Sequence, residues 1–228
     1  MIALPRRKPA PPGNLDIQYV FRDLYTRVLL SWPGEEHVVL GVTSAITGEG
    51  KTTIATGLAT TLAREGTLHG GEQRPGDVLL VDCNQGQRAV TPELAVAPGP
   101  GLIQVLRGDC PLDFAIRPSG YNHLLVLPLG EPASTFPLLI RGATLGPVLA
   151  EIRRRFALSI LDLPAVLTST DTRVLAGLTD QLLLVVRAGV TPTKLVRQAL
   201  DELAGTRVLG TVLNDSRRDL PAWLEQRL

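Results

Sequence analysis

Short apolar runs alternating with helix-length stretches constrain this chain more than any other feature. The runs fall at residues 38–43, 78–82, 124–127, 158–162, 182–186 and 208–213. Each is nearly continuous in Val, Leu and Ile, the pattern of a strand covered on both faces. Helical spacing lies between and before them, at 17–31, 52–64, around 102–106, and at 144–155, 171–178 and 193–203. This alternation predicts an α/β, three-layer, doubly wound fold with a mostly parallel sheet. A length of 228 residues suffices for one sizeable core. With 44% apolar residues but only 4% aromatics, that core must be built mainly from Leu, Val, Ile and Ala.

The stretch "AITGEGKT", residues 45–52, sits between the first long strand and a helix. It fits the phosphate-loop pattern with Ala45 in place of the first glycine. Gly48 and Gly50 let backbone N–H groups turn inward and approach phosphate oxygens. Lys51 supplies a point charge for the β and γ phosphates, and the Thr52 hydroxyl suits Mg²⁺. The helix that follows presents its positive end to an anion. The candidate nucleotide-facing residues are Thr47, Gly48, Glu49, Gly50, Lys51, Thr52 and Thr53.

Four strands end in polar residues: Asp82, Asp162, Arg187 and Asn214. In an open α/β sheet the carboxyl edge is where ligands bind, so these four are expected to converge on one crevice. A magnesium nucleotide needs a carboxylate near the metal and a second group to orient or deprotonate a nucleophile. Asp82 and Asp162 suit those roles, although either one alone would also serve as a helix N-cap. The candidate catalytic set is Lys51, Asp82 and Asp162; the candidate metal set is Thr52, Asp82 and Asp162. Arg187 is read either as an aid to phosphate charge or as half of a structural ion pair.

From residue 19 to residue 214 the chain resembles the cytoplasmic ATPase domain of bacterial tyrosine kinases of the capsule and exopolysaccharide type. These are relatives of the Min- and Par-type partition ATPases. The resemblance is carried by "VTSAITGEGKTT", "VLLVDCN", "GLIQVLRGDCPLDFAIRP", "LLVLPLGEP", "LSILDLPAVLTSTD", "TDQLLLVVRAGVT" and "VLGTVLN". It implies that Lys51 and the loop amides hold the phosphates of ATP, with Mg²⁺ on Thr52. It also implies that Asp82 acts as base near the metal and the γ-phosphate, and that Asp162 acts through metal-bound water. Asn214 matches the position that hydrogen-bonds the adenine edge, a task suited to an amide with both donor and acceptor.

The departures from that family matter equally. Its Asp-x-Asp-x-Arg motif is here Asp82-Cys83-Asn84-Gln85-Gly86, so the second carboxylate is a neutral amide and the arginine is missing, with Arg88 two residues further on. Its ring-forming Glu-x-x-Arg-x-x-Arg motif appears as Tyr19, Arg22 and Tyr25, which puts ring assembly in doubt. The family's kinases phosphorylate a C-terminal tyrosine cluster. The three tyrosines here are Tyr19, Tyr25 and Tyr121, so autophosphorylation of a tail is not expected. Asp-Thr-Pro-Pro has become Asp162-Leu163-Pro164-Ala165. The extra lysine of partition ATPases would fall at Ile46.

A net charge of +1 gives no general attraction to nucleic acid or anionic membrane, and no apolar run reaches the roughly 18 residues of a membrane span. Cys83 and Cys110 suggest no disulfide framework, and Cys83 reads as a small buried side chain. His37, His69 and His123 stand apart from any metal-ligand spacing. These features suit a reducing cytoplasm, and the family resemblance implies a membrane-embedded polysaccharide co-polymerase or export protein as partner, with recruitment to the inner face of the cell membrane. Assembly into a homo-oligomer is open.

Residues 1–15 read as a disordered proline-rich arm, 16–215 as the ATPase domain, and 216–228 as a tail. That tail aligns Leu220, Trp223, Leu224 and Leu228 on one helical face, either docked on the domain or meeting a partner. The family resemblance implies the function of an accessory or regulatory ATPase in exopolysaccharide or capsule synthesis or export. The alternatives are a protein-tyrosine kinase acting in trans, and a degenerate nucleotide-binding scaffold or partition-type ATPase.

Overall fold

The computed structural model describes residues 2–3, 17–31, 37–65, 78–85, 90, 94–131 and 134–216. Its strands are β1 (Ile2–Ala3), β2 (Val38–Ser44), β3 (Val78–Asp82), β4 (Arg117–Pro118), β5 (Leu124–Leu127), β6 (Leu158–Asp162), β7 (Gln181–Arg187) and β8 (Val208–Asn214). The helices are α1 (Ile17–Leu30), α2 (Lys51–Glu65), α3 (Leu102–Arg107), α4 (Leu112–Ala115), α5 (Phe136–Arg141), α6 (Leu145–Arg155), α7 (Asp171–Ala176) and α8 (Thr193–Glu202).

The strands form one sheet in the order β1-β8-β7-β2-β6-β3-β5-β4. All neighbours are parallel except the β4–β5 pair at one edge. This is the doubly wound architecture expected from the alternation of runs. The central strands β2, β3, β6 and β7 are buried on both faces, and the alternation of side chains along each strand divides the core in two. Val38, Leu40 and Val42 face α1 and α2, together with Leu80, Ile160 and Val185. Val39, Leu79, Leu161 and Leu184 face the opposite layer, built from α3 to α8.

After β6 the chain crosses from one side of β2 to the other to form β7, which makes the carboxyl end of β2 the switch point of the sheet. A polar lock fixes that crossing at the opposite end of the strands. Asp180, just before β7, accepts from the Val39 amide at 2.7 Å and donates its own amide to the Val39 carbonyl at 2.8 Å. Arg153 of α6 grips the same carboxylate from 2.6 and 2.7 Å.

Four short elements were not foreseen: β1, α4, β4 and α5. None is long enough to carry a period of its own, and each exists through contacts with distant segments. Ile2 and Ala3, expected in an unstructured arm, instead pair in parallel with Val212 and Leu213 at the edge of β8. The rest of that arm, His69, Arg88 and the tail from residue 217 lie outside the described residues.

Candidate functional site

The phosphate loop leaves β2 at Ser44 and enters α2 at Lys51. Two left-handed glycines shape it, Gly48 at φ 83° and Gly50 at φ 91°. At Gly50 a side chain is excluded twice, since a methyl there would also sit 2.1 Å from Asn214 Nδ2. Gly48 has open space around it, and Thr47, Gly48 and Thr53 are exposed at the mouth. The root of the loop is tied down by the segment after β6: the Val166 amide donates to Ser44 O at 2.8 Å and the Leu167 amide to Ala45 O at 3.0 Å.

Lys51, Thr52, Asp82 and Asp162 are all buried. Asp82 and Asp162 are register partners at the ends of β3 and β6. The Thr52 hydroxyl donates to Asp162 Oδ2 at 2.6 Å, and the Asn84 backbone N–H donates to Asp82 Oδ1 at 3.0 Å. Burial pushes the Asp82 carboxyl up from its ordinary 3.8 to about 7; the neighbouring Asp162 charge adds to the rise, while the Asn84 amide and the Lys51 ammonium oppose it. A group titrating there can exchange a proton at neutral pH.

The other two strand-end residues lie on the opposite flank of the loop. Asn214 Nδ2 donates to the Glu49 carbonyl at 2.9 Å. Arg187 pairs with Asp215 at 3.0 Å, so its guanidinium takes the structural role. The four strand ends thus border one loop in two groups, the carboxylates on one side and Asn214 with Arg187 on the other. Cys83 is a buried free thiol, its acidity suppressed first by burial and then by the Asp82 and Asp162 charges. Arg22, the surviving residue of the ring motif, bonds Glu65 across α1 and α2 at 2.6 Å.

Beside Asp82 the structure opens a cavity of about 630 Å³, walled by Ala97, Pro98, Pro100 and Leu129 with Gln104 and Arg117 among its polar members. The Arg117 guanidinium donates to the carbonyls of Ala97 and Pro100, holding that wall in place. Nothing local in the sequence marks this pocket, because Arg117 reaches back 17 and 20 residues to those carbonyls. Among the described residues no three His, Cys, Asp or Glu side chains gather as a ready-made metal site. None of the helices described is long and apolar enough to cross a membrane.

No protein-family model matches the chain. It is 30% identical over 186 residues to the succinoglycan biosynthesis transport protein ExoP of Rhizobium meliloti, an alignment covering 79% of this chain and 22% of ExoP. It is 27% identical over 191 residues to the tyrosine-protein kinase CpsD of Streptococcus agalactiae, covering 82% and 78%. The chain therefore spans about a fifth of ExoP and about four fifths of CpsD. Among solved structures, the VpsO kinase domain superposes with a TM-score of 0.74 at 29% identity, covering 84% of this chain and 91% of that one. The cell division ATPase MinD of Pyrococcus furiosus gives 0.65 at 25% identity, covering 84% and 78%. The chain is a homologue of the bacterial tyrosine kinases, with the P-loop ATPase fold that their kinase domains share with MinD.

Proposed function

We propose that the crevice at the end of β2 binds Mg-ATP and cleaves its terminal phosphate, and that the chain serves as an accessory or regulatory ATPase in exopolysaccharide or capsule synthesis or export. The observation that carries this reading is the 2.6 Å bond from Thr52 to Asp162, made beside Asp82 and behind a loop with two left-handed glycines. One hydroxyl and two carboxylates form an all-oxygen donor set of the kind a hard cation prefers. The open surroundings of Gly48 leave room for phosphate oxygens where a side chain would otherwise stand.

Bound magnesium would draw charge from the reacting phosphoryl oxygens. The chain's own contribution is positioning and proton transfer. Lys51 and the loop amides would hold the phosphates, Thr52 and Asp162 would hold the metal, and Asp82 takes the proton of the attacking water, or of the acceptor hydroxyl in phosphoryl transfer. Asn214, beside the loop, receives the adenine edge. Similarity to ExoP, named as a transport protein, supports a membrane-embedded partner and a place at the inner face of the cell membrane.

The cavity beside Asp82 favours a second reading, transfer of phosphate to a hydroxyl on another protein. Phosphate release by the purified chain, with Lys51→Ala as control, tests the first reading. Label transfer from γ-labelled ATP to candidate proteins, abolished by Asp82→Ala, tests the second. Tight ATP binding with neither release nor transfer would refute both and leave a nucleotide-binding scaffold.

A further inference from the structure

Glu49 lies inside the phosphate loop yet is 2% exposed. An ionised carboxylate repels phosphate, so its place in an anion site calls for a reason other than ligand binding. Its hydrogen bonds supply one. Oε2 accepts from the Ile46 amide at 2.7 Å, across the loop itself. Oε1 accepts from the amide of Arg187, the last residue of β7, at 3.2 Å, and from the hydroxyl of Thr191 in the turn that follows. The Glu49 carbonyl accepts from Asn214 Nδ2, and the Asn214 carbonyl accepts from the Ala188 amide at 2.8 Å. Loop, 187–191 turn and Asn214 therefore close a ring of hydrogen bonds with Glu49 at its centre.

We propose that Glu49 is a positioning residue that braces the phosphate loop against the 187–191 turn, and so links the phosphate subsite to the residue facing the base. This rests on the reading of the crevice as a nucleotide site. The brace keeps the Ile46 end of the loop turned back on Glu49, which fixes the shape of the loop before any phosphate arrives. A carboxylate is required because three donors converge on two oxygens. An amide in its place would set an N–H against at least one of them.

Three variants decide the matter: Glu49→Gln, Thr191→Val and the pair together, each measured for ATP affinity and melting temperature. A brace predicts that Glu49→Gln weakens ATP binding about tenfold or more, as expected for a hydrogen bond to a charged group. Thr191→Val, whose hydroxyl acts on the loop only through Glu49, weakens it by a smaller factor without loss of folding. The double variant is no worse than Glu49→Gln alone, because both act through one contact. A folded Glu49→Gln chain that binds ATP equally or more tightly, as removal of a bystander negative charge would give, overturns the brace. Effects of the two substitutions that simply add overturn the link to the turn. Failure of the unsubstituted chain to bind ATP overturns the nucleotide site itself, and the brace with it.

Discussion

Asp82 and Asp162 stand opposite each other in adjacent parallel strands, register partners at the carboxyl ends of β3 and β6. Burial disfavours the charge of Asp82 first, and the Asp162 carboxylate held beside it disfavours that charge further. The consequence falls on Asp82, whose carboxyl is pushed up to about 7.

The raised value fixes the sign of a pH dependence. Between about 4 and about 7 the folded chain holds a proton on Asp82 that the unfolded chain has lost, so stability falls as pH rises through that window. Asp82→Asn keeps the acceptor for the Asn84 amide and removes the buried charge. Urea denaturation at pH 5 and pH 8 should show that this variant loses the slope and gains stability at pH 8, by up to on the order of 4 kcal/mol. A base that must be ionised also predicts that kcat/KM of the native chain climbs as pH passes through about 7. Unchanged pH slopes in the variant would refute both assignments.

Asp162→Asn addresses the metal. The amide oxygen can still accept from Thr52, so melting should change little. Loss of the carboxylate should weaken magnesium-dependent ATP binding by roughly 10- to 100-fold, the usual effect of removing a group that orients a metal site. Titration of ATP with and without Mg²⁺ measures this, and equal losses in both conditions would place Asp162 outside the metal's reach.

Gly50→Ala tests the loop geometry. The φ of 91° and the 2.1 Å approach to Asn214 Nδ2 mean that a methyl must both strain the backbone and break the Asn214–Glu49 bond. The strain alone is about 1–3 kcal/mol. ATP binding should fall below detection while far-UV circular dichroism still reports a folded chain. Retained affinity would show that the loop has another resting shape.

Gly57→Ala, on the inner face of α2, sets two effects against each other. Alanine in mid-helix gains about 1 kcal/mol over glycine. Here, however, the methyl would lie 2.1–2.6 Å from three Phe21 ring carbons of α1, and overpacking of this kind costs about 1–3 kcal/mol. Net destabilisation is expected in thermal denaturation, with partial recovery when Phe21→Leu is added. A stabilised single variant would mean that α1 can move away freely.

The six long strands were legible to within a residue or two because a strand buried on both faces must be written as a continuous apolar run, which is a local property. The glycine-lysine-threonine loop was legible for the same reason: its left-handed turns and its charge lie within eight consecutive letters. The order of strands was not, nor was the pairing of Asp82 with Asp162, because register depends on which runs meet. The role of Glu49 was hidden most completely. As a letter between two glycines it reads as one more nucleotide-facing residue, yet it bonds Arg187, Thr191 and Asn214, separated from it by 138, 142 and 165 residues. Sequence alone determined that an anion loop would follow a buried strand. Only tertiary folding, by bringing the ends of β2, β7 and β8 together in a space dry enough for hydrogen bonds to hold, decided what keeps that loop in shape.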